Sequence, residues 1–480
     1  MSNQNITKKA GQASLLLLLR KGWGAILSIF VMAYLARKLD IGDFGIVAIS
    51  STLINFIQVF GISGISEYVV FYNEDDKKEV VNAAFWLNIS ITILIIVVLV
   101  IVAPLWADFY GNDAIANIIY LLSIGFFFNM LSAIPVALYR KEIDYKPLVI
   151  IQLVFGTISQ ISQVVLAFFD FGVYSLAIPT AVVLPLLSIT IIYKSKFKPS
   201  QNFYFSHWKK IFEYSKFVIG TRVVGMLVSN GDNLLIAKVL SIKILGIYDV
   251  AFRFANLFIG HFNPIVMNIS LPILAKSKDN RNELITRFKK MIDMLSVINI
   301  PIIIGMILFA EPIILLLYGQ KWIEAIVPFQ ILSIFVLFRS LGSPASGLYN
   351  AIGKPKVGFY FTVLFVIPFF ITIYISSFYG LIGICIGIAI IRSLESSAHI
   401  IVSSKLLESG MIKIIKTPII TLLCTIISYV SVYLTSAYLG VILQVFLYVF
   451  LILILEIVFF KSSFFPIKKD LEKLFFNKKR

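Results

Sequence analysis

Six cations sit inside long apolar runs of this chain: Arg20, Lys21, Arg222, Arg253, Arg339 and Arg392. At the middle of a membrane helix such a charge costs about 2.5–3.5 kcal/mol, so each needs a partner, a water-filled cavity or the interface. Arg253 has Asp249 one turn before it. Arg392 has Glu395 one turn after it and His399 further along the same face. For these two, a local ion pair and a ligand role are equally open. Arg20, Lys21, Arg222 and Arg339 have no acid three or four positions away. Snorkelling to the interface accounts well for Arg20 and Lys21, equally for Arg222, and poorly for Arg339, which lies near the middle of its run. The other account is a cationic cavity for an anionic substrate. Phosphate is the natural anion, because arginine meets it with a planar fork of donors and lysine with a point charge. Asp232, in Ser229-Asn230-Gly231-Asp232-Asn233, follows the seventh run and reads as a surface loop or a broken helix, with cation coupling as the second reading. Glu67 and Glu311 lie near run ends and read as interfacial. Gln152 and Asn256 are as well suited to interhelical hydrogen bonding as to sugar binding.

The elements that position these groups are membrane helices. Of the 480 residues, 59% are hydrophobic and 14% charged, and the mean hydropathy is +0.93. An ordinary globular domain is about 45–50% apolar and 25% charged, so lipid must be the solvent here. Runs of about twenty apolar residues, enough to cross a hydrocarbon core as helix, recur fourteen times. They cover 15–35, 44–64, 83–104, 115–138, 148–169, 173–193, 215–236, 247–270, 292–317, 324–349, 357–378, 380–402, 418–437 and 439–460. The ninth is expected to bend at Glu311-Pro312, where proline removes a helix hydrogen bond. The first run, interrupted by Arg20 and Lys21 and followed by no small-residue cleavage site, reads as a retained span.

The net charge of +17 follows from topology rather than from nucleic-acid binding. With the N-terminus inside, the inner loops hold 31 of the 42 Lys and Arg and the outer loops hold 5. This bias places both termini in the cytoplasm and favours an even number of spans.

The chain also repeats itself. At a shift of 201 residues, Leu35-Ala36-Arg37-Lys38-Leu39 meets Ile236-Ala237-Lys238-Val239-Leu240, Gly45-Ile46 meets Gly246-Ile247, and Lys21 meets Arg222. At slightly larger offsets Phe109-Tyr110-Gly111-Asn112 matches Leu317-Tyr318-Gly319-Gln320. Repeats that start six spans apart share one topology, the parallel-repeat plan. The expected fold is therefore all-α and polytopic. Residues 1–200 form an N-lobe of six spans, 201–410 a C-lobe of six, and 411–480 two further helices and a basic cytoplasmic tail.

Several function classes are excluded. No GxxxxGK[ST] loop is present, which argues against ATP-driven transport by this chain alone. No hydrophilic stretch is long enough to house a glycosyltransferase site. Cys385 and Cys424 lie in apolar runs with no CxxC or Cys/His cluster, so no metal, disulfide framework or cofactor is expected and no catalytic constellation emerges.

Further short motifs follow the repeat: Leu35-Ala36-Arg37-x-Leu39-x4-Phe44-Gly45; Asp232-Asn233-Leu234-Leu235-Ile236 with Leu245-Gly246-x-Tyr248; Leu271-Pro272 with Lys276 to Asp279; Tyr318-Gly319-x-Lys321-Trp322; and Gly353-Lys354-Pro355-Lys356. In order and spacing the chain resembles the polysaccharide-transport branch of the multidrug/oligosaccharidyl-lipid/polysaccharide exporter superfamily, over nearly its whole length. The resemblance implies a flippase, not an enzyme, that passes undecaprenyl-pyrophosphate-linked sugar units from the cytoplasmic to the outer leaflet of a bacterial cytoplasmic membrane by alternating access. It implies membrane lipids as surroundings, and a polysaccharide polymerase and export machinery as further partners. Lys21, Arg222 and Arg339 suit the cationic cavity of the lipid II-flipping relatives. Drug-exporting relatives carry an acid in the first span, where this chain has Arg20 and Lys21. A cation-coupled drug exporter and a membrane-bound sugar polymerase or ligase are the alternative readings.

Overall fold

A lipid-facing backbone must satisfy its own hydrogen bonds, and helices do this locally. The computed structural model describes residues 3–62, 64–72, 77–142, 145–195, 197–277, 280–434, 440–441 and 443–456, and no strand occurs among them. In chain order the helices are α1 (Asn3–Lys38), α2 (Ile41–Ile62), α3 (Ile65–Phe71), α4 (Lys77–Tyr110), α5 (Ala114–Lys141), α6 (Tyr145–Phe168), α7 (Tyr174–Lys194), α8 (Trp208–Val239) and α9 (Ile242–Lys276). They continue with α10 (Arg281–Leu308), α11 (Ala310–Leu317), α12 (Ile326–Gly342), α13 (Pro344–Ala351), α14 (Pro355–Ser377), α15 (Gly380–Leu406), α16 (Met411–Leu434) and α17 (Leu443–Glu456).

The protein is an all-α, multi-span membrane protein. Among the described residues, eleven helical stretches are long and apolar enough to cross a membrane. The expected seventh and eighth spans, α8 and α9, have 32 and 35 residues but are more polar, with Arg222 and Asp232 in one and Asp249 and Arg253 in the other. The expected fourteenth, 439–460, is described as helix only over Leu443–Glu456. The basic tail and the Lys278-Asp279 end of one motif lie outside the described residues.

Three breaks shape the spans. The ninth divides at Phe309, just ahead of Glu311-Pro312. The tenth divides at Ser343, ahead of Pro344, a break the apolar pattern does not signal. The second ends where Gly64, at φ +91°, turns the chain into α3. A Cβ at Gly64 would lie 2.7 Å from the Ser215 Cα of α8, so both conformation and space demand glycine.

By contacts the chain forms two compact units. The first comprises Met1–Val250 with Leu317–Gly319 and Ile373–Leu381. In it α5 packs on α2, α3, α4, α6 and α7, α1 packs on α6, and α8 packs on α2, α3 and α4. Helices approach closely where small residues allow it: a Cβ at Gly125 would sit 2.7 Å from the Thr180 carbonyl oxygen across the α5–α7 contact. In the second unit α10 packs on α12, α13 and α16. A buried polar cluster crosses its interior, with Asn299 donating to Asn263 Oδ1 (2.8 Å) and Ser340 Oγ (2.6 Å).

Within the first unit the sequence repeat is a physical symmetry. Helix α1 ends at Lys38 and α2 begins at Ile41; α8 ends at Val239 and α9 begins at Ile242, the same register shifted by 201. A Cβ at Gly45 would lie 1.9 Å from the Ile242 carbonyl oxygen, and one at Gly246 would lie 2.2 Å from that of Ile41. Gly246 is the repeat mate of Gly45, and Ile242 that of Ile41, so the contact is reciprocal, as across a twofold axis. The basic residues just before it follow suit. Arg37 Nε donates to the Leu317 carbonyl (3.0 Å), and its mate Lys238 Nζ donates to the Phe109 carbonyl (2.7 Å). Phe109 and Leu317 are mates too, each two residues before a glycine with positive φ, Gly111 and Gly319. Cations thus satisfy helix C-terminal carbonyls that lack an intrahelical donor.

A backbone oxygen has no flexible side chain with which to yield. Gly45→Ala and Gly246→Ala should each destabilise the protein by about 1–3 kcal/mol, the cost of overpacking. In detergent this will appear as a drop of several degrees in the thermal unfolding midpoint. Gly156→Ala, where a Cβ meets nothing within 4 Å, should not lower it. Equal midpoints in all three variants would mean the glycine crossing is not a closed contact.

Candidate functional site

Arg20 reaches from α1 to α6, where its Nη1 donates to Gln152 Oε1 at 2.8 Å. One turn on, Trp23 Nε1 donates to Thr157 Oγ1 at 3.0 Å. The Arg20 Nε is buried and makes no hydrogen bond among the described residues. Lys21 is half-buried and has no hydrogen-bond or ion-pair partner among the described residues. Of these two adjacent cations, Arg20 is held by a neutral acceptor.

Arg222, on α8, forms an ion pair with Glu67, the acid that α3 presents after the Gly64 turn. The Arg222 side chain is 50% exposed and that of Glu67 36%, so neither is buried. An exposed pair of this kind contributes about 0–1 kcal/mol. Glu67 lies 155 residues away in sequence, which is why one-turn spacing could not reveal it.

Asp232 requires a correction. It lies in neither a loop nor a break, because α8 runs without interruption from Trp208 to Val239. Its side chain is buried at 5% exposure and accepts a hydrogen bond from the hydroxyl of Tyr248, which is itself fully buried. The Asn233 N–H lies 2.9 Å from its other oxygen, and Asn233 Nδ2 donates to Thr52 Oγ1 of α2 at 3.1 Å. With these partners a polar run can stay helical inside the bundle.

The other three cations belong to the second unit. Arg253 is exposed on α9. Arg339 of α12 donates to Asn256 Oδ1 of α9 and stands 5.2 Å from the Phe335 ring centre. Arg392 of α15 is nearly buried. It pairs with Glu395 at 2.9 Å, the one-turn partner seen in the sequence, and stacks 4.0 Å from the Phe369 ring centre. His399 faces Tyr349, whose hydroxyl lies 3.2 Å from His399 Nδ1. Gln152 and Asn256, ambiguous in the sequence, both prove to be amide acceptors for intramembrane arginines. Nothing local in the sequence marks those pairings, which span 132 and 83 residues.

These cationic side chains can hold an anion electrostatically. Arginines that rest on neutral amides or on a partly exposed carboxylate can exchange those acceptors for phosphate oxygens. Arg392, between an acid and an aromatic ring, is committed to its neighbours. Among the described residues no group of three or more His, Cys, Asp or Glu is placed to hold a metal.

Comparison with known proteins bears on the fold and the family. The teichuronic acid biosynthesis protein TuaB of Bacillus subtilis (strain 168) is 25% identical over 290 residues, and the match spans 60% of each chain. The lipopolysaccharide biosynthesis protein WzxC of Escherichia coli (strain K12) is 24% identical over 394 residues, 78% of each. Among solved structures, the lipid II flippase MurJ in an inward closed conformation superposes with a TM-score of 0.77 over 93% of this chain and 99% of that one, at 17% identity. An inward-facing multidrug resistance MATE family transporter of the MOP superfamily gives 0.58 over 85% and 95%, at 16% identity. These likenesses establish a shared fold. Residues 34–327, more than half of the chain, match the polysaccharide biosynthesis protein family, and this multi-span membrane protein belongs to that family.

Proposed function

We propose that this chain is a flippase that carries a polyprenyl-pyrophosphate-linked oligosaccharide from the cytoplasmic to the outer leaflet of a bacterial cytoplasmic membrane, for synthesis of a surface polysaccharide. The observation that carries the reading is the charge on the first unit. Arg20, Lys21 and Arg222 stand in apolar helices with one neutral acceptor, Gln152, and one partly exposed acid, Glu67, as their partners among the described residues. A pyrophosphate supplies the charge that would offset them. The family, the polymer-synthesis names of the relatives and the fold shared with a lipid II flippase support the same substrate class. Arg253 and Arg339 extend the cationic set on the second unit, and Asp232 is the candidate coupling residue. The halves 1–200 and 201–410 alternate access, with 411–480 outside the repeat. Both termini face the cytoplasm in this reading, which the distribution of basic loop residues supports. A polymerase and export machinery are the partners that take the product onward.

The test is leaflet translocation in proteoliposomes, read with a membrane-impermeant probe of undecaprenyl-pyrophosphate-linked oligosaccharide. Lys21→Ala and Arg222→Ala should each slow it about tenfold, equivalent to about 1.4 kcal/mol of anion binding. Lys413→Ala, at an exposed position, should leave it unchanged. Undiminished transport in both cation variants would move the anion site elsewhere. Transport of a cationic drug instead would favour the exporter reading.

The reciprocal contacts of Gly45, Gly246, Arg37 and Lys238 are the closed outward gate of this cycle. Removing both carbonyl contacts with Arg37→Ala/Lys238→Ala should favour opening on that side. A cysteine placed at Leu245, fully buried at the crossing, in a Cys385→Ala/Cys424→Ala background, should then react several-fold faster with an impermeant thiol reagent. An unaltered labelling rate would deny these residues a gating role.

A further inference from the structure

A second basic site lies in the first unit, away from the cations already described. The stretch from Phe197 to Tyr204 after α7 folds back over the start of α4. Asn82 fixes it: the Ser200 N–H donates to Asn82 Oδ1 at 2.8 Å, and Asn82 Nδ2 donates to the Asn202 carbonyl. Trp86 Nε1 adds a bond to the Ser200 carbonyl at 2.8 Å, and Tyr139 of α5 donates to the Lys194 carbonyl at 2.8 Å. The stretch thereby walls a cavity of about 980 Å³ between the beginnings of α4 and α6 and the ends of α5 and α7. Its lining is amphiphilic. Pro135, Leu138, Pro147 and Phe197 give apolar walls, while Lys78, Lys194 and Lys198 bring positive charge against one acid among the described residues, Glu142. All three lysines are exposed, and none of their ammonium groups has a hydrogen-bond or ion-pair partner among the described residues.

Three unpaired ammonium groups beside apolar walls match a ligand that is anionic at one end and greasy at the other. The volume is that of a small-molecule site at its upper limit. The surroundings identify the medium it faces. Phe203 and Phe205 are exposed and stacked, and Phe203 lies 4.6 Å from Trp86, an aromatic cluster of the kind found at membrane–water interfaces. Basic pockets between membrane helices at that depth take phosphate head groups. We propose that this cavity binds an anionic phospholipid through its phosphate, with Lys78, Lys194 and Lys198 as ligands and the first acyl carbons against Leu138 and Phe197. The site is separate from Arg20, Lys21 and Arg222 and does not depend on the flippase reading. Its occupant pins the 197–204 stretch to the ends of four helices.

The experiment is lipid titration of the purified, delipidated full chain, read by native mass spectrometry and by the thermal unfolding midpoint. Phosphatidylglycerol should be retained as an adduct and raise the midpoint, whereas phosphatidylcholine should do neither. Lys78→Ala/Lys194→Ala/Lys198→Ala should weaken phosphatidylglycerol retention about tenfold, and the triple arginine variant should restore it. Leu138→Trp, which fills the cavity without altering charge, should also remove the adduct. Equal retention in wild type and both cavity variants would overturn the site. Protection by inorganic phosphate alone, through the same lysines, would overturn the lipid assignment in favour of a soluble phosphate ligand.

Discussion

Where α2 and α9 cross, backbone meets backbone, and the only side chain that fits between them is a hydrogen atom. Gly45 against Ile242 and Gly246 against Ile41 fix the crossing point of two helices to within a fraction of an ångström, and much of the first unit is registered from it. One residue of slip would put the bulk of Phe44 or Leu245 where no Cβ can go. With the register held, Arg37 and Lys238 arrive at the carbonyl ends of α11 and α4. The same register sets Tyr248, two residues past Gly246, over Asp232. A single steric constraint, used twice by symmetry, therefore places two cations and a buried carboxylate. In lipid, where apolar side chains gain little by leaving one apolar medium for another, close backbone approach of this kind is the effective source of helix-packing specificity.

What the sequence makes legible follows the range of the interaction. Helix positions depend on apolar runs, so nearly every expected span coincides with a helix, and the proline-linked bend near Glu311 appears within two residues of its expected place. The repeat is legible because the same turn chemistry was used twice. Pairings are another matter. Arg392 and Glu395 sit one turn apart and could be paired by eye, whereas Arg222 finds Glu67 across two helices. The α3 turn that delivers Glu67 depends on Gly64 pressing against Ser215, a contact that no periodicity encodes. The interruption at Ser343 escaped for a similar reason, since Pro344 at a helix start and a proline in mid-helix read alike in an apolar run.

Asp232 shows how polarity alone misleads. Ser229-Asn230-Gly231-Asp232-Asn233 has the composition of a loop, and in water it would be one. In the bundle the cost of helix there is offset by specific acceptors and donors: the Tyr248 hydroxyl for the carboxylate, Thr52 for Asn233, and the Gly225 carbonyl for Ser229. Burial reverses the preference, because in a dry interior any polar group that finds its partner is worth keeping and a frayed backbone finds none.

The choice of partners for the cations bears on how an anion could be both bound and released. A buried arginine locked to a buried acid, as in Arg392 with Glu395, gains a neighbour it cannot exchange without stranding a charge. Arg20 on Gln152 and Arg339 on Asn256 are differently made: the acceptor is a neutral amide, and its loss strands only a dipole. Arg222 lies between these cases, because its partner Glu67 is an acid but is only partly buried. For a carrier this gradation has a direct consequence. On the proposed function, phosphate would outcompete each resting acceptor on one side of the membrane and yield to it again on the other, so the resting bonds would need to be weak, present and replaceable. Amides and a partly exposed carboxylate meet that requirement better than an acid buried beside its arginine would.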